Sequence, residues 1–545
     1  MSHFDPALRT WNGPRQPSII NPAVSVGQAI INVLERTPEK VFLISADTGE
    51  SVTCGELRTR MIRVALNLNK RCNLLQNDVV CMVVENSSRV IPVLFGCFLL
   101  GAPVHTLDAS FEQSDLVHLM GITKPKLVFC NESNVKTVIE SLKQLASDAR
   151  VVILDDLASE KLLFDTAEEE QHYRPPYLGD SDKTVAVIVC SSGTTGIPKA
   201  VCLTHALLIA PYPWVTNLGI DTVLCFSSLY WVSSFQMLMM ALFNGNKQIT
   251  TSKPFSPAYA YELISKYQVT NMFTTPPMLV ELVEYCESQN LTLPSLRIIG
   301  CGGSSLPEAI RQRADALLKP KGTVCVGYAM SETGGIVSIN LFGKPNSVGV
   351  LMPNFTVRIV KHEGNPLGPE QEGEIQVRYD HLFAGYYGNE KETRTVLTPD
   401  GFIKTGDVGY FDKAGFLYIT DRMKEMLRYQ GYQIAPAQLE AMLVELPAVS
   451  QAAVVGIPHP KPPHVDLATA LVVLRTGPDD GQSKTLDEQQ LLTLVNQQLP
   501  DYKRLRGGLF VVDSLPRTTN GKINRREAKQ MALKLSQLTN GNGVL

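Results

Sequence analysis

A chain of 545 residues is too long for one ordinary core and predicts at least two domains. Its 44% hydrophobic and 19% charged residues exclude long disorder, and a net charge of -3 supplies no general field for nucleic acid or an anionic membrane. The 11 cysteines are odd in number, show no C-x-x-C spacing and stop at Cys325, so reduced thiols in an intracellular protein are expected, not a disulfide framework or a zinc site.

No basic-then-apolar leader follows Met1, and no S-K-L-type tripeptide stands at Gly543-Val544-Leu545, which leaves a cytoplasmic or a peroxisomal location open. The longest apolar run, 90–100, contains Pro92 and Gly96 and is too short to span a bilayer. From about 20 to 150, apolar runs at 79–84, 128–130 and 151–154 alternate with helical patterns, one of them short at 115–120. That alternation predicts βαβ units on a parallel sheet. The acidic residues 168–170 read as a solvated loop.

The run VAVIVC at 185–190 reads as a buried strand, and a second β-prone piece begins at Val201. Between them stands SSGTTGIPK: Ser191, Ser192, Gly193, Thr194, Thr195, Gly196, Ile197, Pro198 and Lys199. Small hydroxyl and glycine residues let backbone N–H groups close around a phosphate, and Lys199 adds a compact positive charge. The spacing is not that of a Walker A loop. A flexible Ser/Gly turn with no ligand would have the same composition.

These nine residues resemble the signature loop of the acyl-adenylating superfamily, which includes acyl-CoA synthetases, 4-coumarate–CoA ligases and beetle luciferases. Further motifs follow in that family's order. At 225–235, small residues flank Tyr230 and Trp231, and the resemblance implies an acyl pocket that also uses Ser233. No Arg stands between Thr204 and Ser228, which counts against luciferin as substrate. A strand at 271–275 ends at Pro276, with a helix expected over 278–287. A strand from 296 then enters Gly302, Gly303 and Ser304, a segment that in the family lies against adenine. A helix started by Pro307 follows.

The family's Y-G-x-T-E motif matches at Tyr328 and Glu332, with Ala329 for Gly and Ser331 for Thr. Thr333 follows in the implied nucleotide set and Gly335 in the implied acyl set. The resemblance gives Glu332 to Mg²⁺. The methyl of Ala329 narrows the room for a wide aromatic acid. Short alternating strands between 354 and 416 predict a small antiparallel barrel. The T-G-D motif there ends at Asp407, implied to hold ribose. Asp421-Arg422 matches the hinge, and Arg422 joins the ribose set.

Arg428, Gly431 and Tyr432 match the loop that the family uses beside CoA, with Arg428 where Lys is frequent. The loop 459–464, with two His, reads as divergent surface. A helix is expected near 487–498. Lys522 matches the lysine that enters the site for adenylation, and residues after about Leu535 read as a frayed tail.

The resemblance therefore implies an α/β fold: a large body of parallel-sheet subdomains and a small β-barrel over 1–420, then a small mobile α+β lid over 421–545. It implies an ATP-, Mg²⁺- and CoA-using acid–thiol ligase, with Lys522, Lys199 and Arg428 as catalytic cations. Side-chain nucleophiles are not required. A luciferase-like oxygenase and a non-catalytic nucleotide or acyl binder are the alternatives.

Overall fold

The computed structural model describes the chain except residues 19, 168, 192–197, 211–220, 362–363, 382, 430–431, 459–464, 476–486, 518–521 and 542–545. Most of the signature loop, the loop at 459–464 and Gly431 thus lie outside the described residues. Among those described, two α/β sheets form the body. One has six strands in the order Lys199–Thr204, Val185–Ser191, Val104–Leu107, Val80–Val83, Leu127–Cys130, Arg150–Ile153. All its pairings are parallel except the first. The other has nine strands, and its parallel centre includes Asn271–Thr274, Ile298–Gly302 and Thr323–Met330.

The helix Val90–Leu100 occupies the run that sequence alone left as a short apolar stretch, and it is buried along nearly its whole length. Pro92 falls in its first turn, where no intrahelical N–H bond is lost. A Cβ on Gly96 would collide with Val64, so glycine lets this helix pack closely on Cys54–Cys72. A Thr53–Glu56 capping box starts the latter helix.

The expected barrel is a six-stranded antiparallel sheet. Two of its strands, His3–Asp5 and Thr10–Asn12, come from the N-terminus and extend the ladder from Phe355–Val360. Its last strand, Leu417–Arg422, bridges at Leu417 to Gly349, which ties this sheet to the nine-stranded one. The C-terminal part has its own apolar clusters around Leu427, Leu443, Val454, Leu471, Leu509 and Ala528. It carries a sheet of Val449–Pro458, Asp466–Leu474 and Gly508–Val511.

Several expectations change. The helices at 115–120 and 278–287 extend to Gln113–Thr123 and Pro276–Ser288, since caps and packing add turns that periodicity misses. The tail beyond Leu535 is helical, within Arg525–Gly541, because the helix packs Ala528 and Ala532 into the lid core. In the acidic segment, Glu170 is not merely solvated: both its oxygens bind Arg63, at 2.6 and 3.0 Å. All eleven cysteines are free, and all but Cys72 are buried. No described helix is long and apolar enough to cross a membrane.

Candidate active site

The antiparallel pair Val185–Ser191 and Lys199–Thr204 places Ser191 directly opposite Lys199. The Lys199 side chain is only 15% exposed. Its ammonium pairs with Glu392 and lies 5.0 Å from the centre of the Tyr386 ring. The Tyr386 hydroxyl donates to Glu332 Oε1 at 2.9 Å. Glu332 sits in the short turn Ser331–Thr333, which the Thr333 hydroxyl closes by donating to Met330 O and Gly335 O. Thr333 therefore holds the turn, while Ser331 and Glu332 remain beside the site.

Thr323–Met330 carries Tyr328, whose hydroxyl donates to Asp407 Oδ2 at 2.6 Å. Asp407 Oδ1 lies 3.1 Å from Arg422 Nε, and the two residues are cross-strand partners. Gly406 has φ +71°, the turn that aims Asp407 inward. The hinge pair Asp421-Arg422 is thus the end of a body strand. Asp421 Oδ2 also accepts from Ala437 N, in the first helix of the lid, at 3.0 Å.

Gly302 ends the strand Ile298–Gly302, and Ser304 is exposed just beyond it. Gly303 has φ +98°, and a Cβ there would lie 3.2 Å from Lys522 Cε. The lid thereby brings Lys522 over Gly303 and into the field of Arg422 and Asp407. Burial, reinforced by the Arg422 cation, lowers its pKa to about 8. Burial also raises the carboxyls of Asp407 and Glu332. Arg422 and Tyr328 oppose this at Asp407, and Tyr386 and Lys199 oppose it at Glu332. Two linked sets result, Lys199–Tyr386–Glu332 and Tyr328–Asp407–Arg422, and Arg422 lies in the field of both Asp407 and Glu332.

The acyl-side residues divide. Tyr230 is buried against Phe111, Cys81 and Cys190, in the core under the six-stranded sheet. Trp231 and Ser233 stay half-buried at the start of Val232–Phe243, and Ala329 is exposed. A Cβ on Gly335 would meet the side-chain amide of Gln236, which would have to shift. Arg428 and Tyr432 stand on the lid hairpin, both exposed, with Tyr432 stacked on Tyr502 at 4.4 Å. Lys522, not Arg428, is the lid cation beside Gly303.

Sequence reasoning missed Tyr386, Glu392 and Gln236. Only the Gly385-Tyr386-Tyr387 loop before the Asn389 cap could have marked the first two. It also missed the contact of Cys190 Sγ with His105 Nε2 at 3.5 Å. Burial raises that thiol and lowers the imidazole to about 3, so the pair is neutral and sealed from substrate.

Among the described residues no cluster of three or more His, Cys, Asp or Glu could hold a metal ion alone. A single hard carboxylate, Glu332, held through Tyr386 near the Lys199 ammonium fits Mg²⁺, which takes one or two carboxylates and completes its shell with phosphate oxygens and water.

Residues 31–387 match the AMP-binding enzyme family, and 438–522 match the AMP-binding enzyme C-terminal domain. The chain is 31% identical to 4-coumarate–CoA ligase-like 9 of Arabidopsis thaliana, over 90% of this chain and 87% of that one. It is 29% identical to luciferin 4-monooxygenase of Photuris pensylvanica, over 90% and 92%. The crystal structure of ATP-bound MatB from Rhodopseudomonas palustris shares the fold, with TM-score 0.81 at 22% identity, over 94% of this chain and all of that one.

Proposed function

The chain belongs to the AMP-binding enzymes, the adenylate-forming family of AMP-forming acid–CoA ligases, and on that premise we propose that it converts a fatty or arylalkanoic acid into its CoA thioester. In the first half-reaction the carboxylate attacks the α-phosphorus of ATP and pyrophosphate leaves. In the second, the CoA thiol attacks the acyl-adenylate and AMP leaves. Negative charge develops on phosphate oxygens, so preplaced cations and donors do most of the catalysis.

Lys522 bridges the carboxylate and the α-phosphate. Ser191, Ser192, Gly193, Thr194, Thr195, Gly196 and Lys199 grip the β- and γ-phosphates. Gly302, Gly303, Ser304 and Tyr328 flank adenine, and Asp407 and Arg422 hold ribose. Glu332, with Ser331 beside it, would hold Mg²⁺, whose charge neutralises the leaving pyrophosphate. The acid lies among Trp231, Ser233, Gly302, Ala329 and Gly335. A hinge at Asp421-Arg422, where the last strand of the body ends, would let the lid rotate and present Arg428, Gly431 and Tyr432 to CoA.

The observation that supports this reading most is the lid lysine, Lys522, seated over Gly303 beside Arg422 and Asp407. The test is pyrophosphate release and thioester formation over a panel of straight-chain and aryl-substituted acids. Carboxylate-dependent AMP release together with CoA thioester is expected. Pyrophosphate release that ignores the acid, or adenylate that never passes to CoA, would refute it.

A further inference from the structure

We propose that Tyr386 is a positioning residue that joins Lys199 to Glu332, so that a divalent cation and the nucleotide phosphates bind as one unit. The inference rests on the nucleotide-site reading above and deepens it.

The placement of Tyr386 is fixed from several directions. Its loop is stitched to the strand that begins at Lys199: Cys202 N donates to Gly385 O at 3.0 Å, and Tyr387 N donates to Ala200 O at 2.8 Å. Val201 and Tyr386 form the β-bridge between these two bonds. Tyr386 N donates to Thr393 Oγ1 at 2.9 Å, which ties the loop to the helix Glu390–Val396. Gly385 takes φ +97°, where a side chain would press on Thr393. The residue is 7% exposed, so the ring has little freedom of its own.

From that position one side chain serves two charges of opposite sign. The face of the ring lies under the Lys199 ammonium, a cation–π contact in a partly desolvated place. The hydroxyl has one proton to donate, and it goes to Oε1 of Glu332. One carboxylate oxygen is thereby held, and the carboxylate is oriented before any ligand arrives. Partners that orient a metal ligand in this way contribute about 10- to 100-fold to metal affinity. The ring matters separately. Lys199 also pairs with Glu392, and without the aromatic face that carboxylate alone would decide where the ammonium points.

The two functions of the side chain can be removed one at a time. Tyr386→Phe keeps the ring and loses the hydroxyl, and Tyr386→Leu loses both. Binding of a non-hydrolysable ATP analogue is measured by calorimetry, with Mg²⁺ and with EDTA, and Mn²⁺ binding by electron paramagnetic resonance. Tyr386→Phe is expected to weaken the metal-dependent affinity about 10-fold and leave the metal-free affinity unchanged. Raised magnesium should restore its turnover. Tyr386→Leu should weaken the metal-free affinity as well. If Leu does not fold, as judged by circular dichroism, the Phe variant carries the test alone. Equal losses with and without metal in Tyr386→Phe, or no loss at all, would overturn the proposal. A wild-type protein that binds no nucleotide would overturn the functional reading, and this inference with it.

Discussion

The two ends of the candidate nucleotide site are built differently. At the phosphate end, Lys199, Tyr386, Glu332 and Glu392 all come from the body and are linked by hydrogen bond, ion pair and ring contact. At the ribose end, Tyr328 and Asp407 come from the body, Arg422 from the strand at the hinge, and Lys522 from the lid. The first end is set when the body folds. The second includes a residue of the C-terminal domain, Lys522 over Gly303, so on the proposed reading its cation depends on where that domain sits. On the proposed function, this arrangement would separate gripping a nucleotide from activating an acid.

The largest effect that would break this division is expected from Lys522→Ala. Carboxylate-dependent pyrophosphate release should fall at least 10²- to 10³-fold, the scale of losing one preplaced charge donor. Thioester formation from a preformed adenylate should persist. Equal loss of both half-reactions, followed separately by pyrophosphate and thioester assays, would mean the two ends are not distinct.

Gly303→Ala acts on the same contact from the body side. It places a methyl 3.2 Å from Lys522 Cε at a φ of +98°. The backbone cost is about 1–3 kcal/mol, and roughly a 10-fold loss of adenylation with little change in metal-dependent nucleotide affinity is expected. Kinetics alongside calorimetry checks both.

The pH dependence sharpens the comparison further. Lys522 must be cationic to act, and its pKa is lowered to about 8. Adenylation by the free enzyme should therefore hold below about pH 8 and decline above it, while transfer from preformed adenylate lacks that limb. The stability sign is opposite. Between about 8 and the unfolded value near 10.4 the unfolded chain binds more protons at this lysine, so its contribution to stability rises with pH there. Rate profiles and thermal melts across pH 7–10 measure each.

The smallest effect is expected at the lid–body contact of Arg475 with Glu284, 3.3 Å apart and partly exposed. An exposed pair contributes about 0.2–1 kcal/mol. Glu284→Gln should slow adenylation less than about fivefold, and added salt should erase the difference. A larger loss would mean that lid docking depends on this contact more than on the Gly303 seat.

Much of the candidate site was legible only through the family resemblance, whose motifs are small, polar or glycine-rich stretches after apolar strands. Lys199, Glu332, Asp407 and Lys522 carry that resemblance, and the fold links Lys199 to Glu332 through Tyr386 and sets Lys522 in the field of Asp407. Tyr230 was ambiguous for the converse reason. An aromatic beside small residues has the same local signature whether it lines a cleft or fills a core, and it fills a core. Tyr386 left only the weak signal of its glycine-led loop, because a tyrosine there becomes informative only when its neighbours across 54 and 187 residues are known.

By itself, then, the chain's order of residues determined where strands end in phosphate-sized loops, which charges stand beside them, and the α/β class, since these depend on neighbours a few positions apart. Tertiary structure alone decided that the N-terminal strands complete the antiparallel sheet, that Gly303 is the seat for Lys522, and that Tyr386 ties Lys199 to Glu332. Those contacts join segments far apart in the chain, and their register follows from packing and strand pairing, which no local pattern encodes.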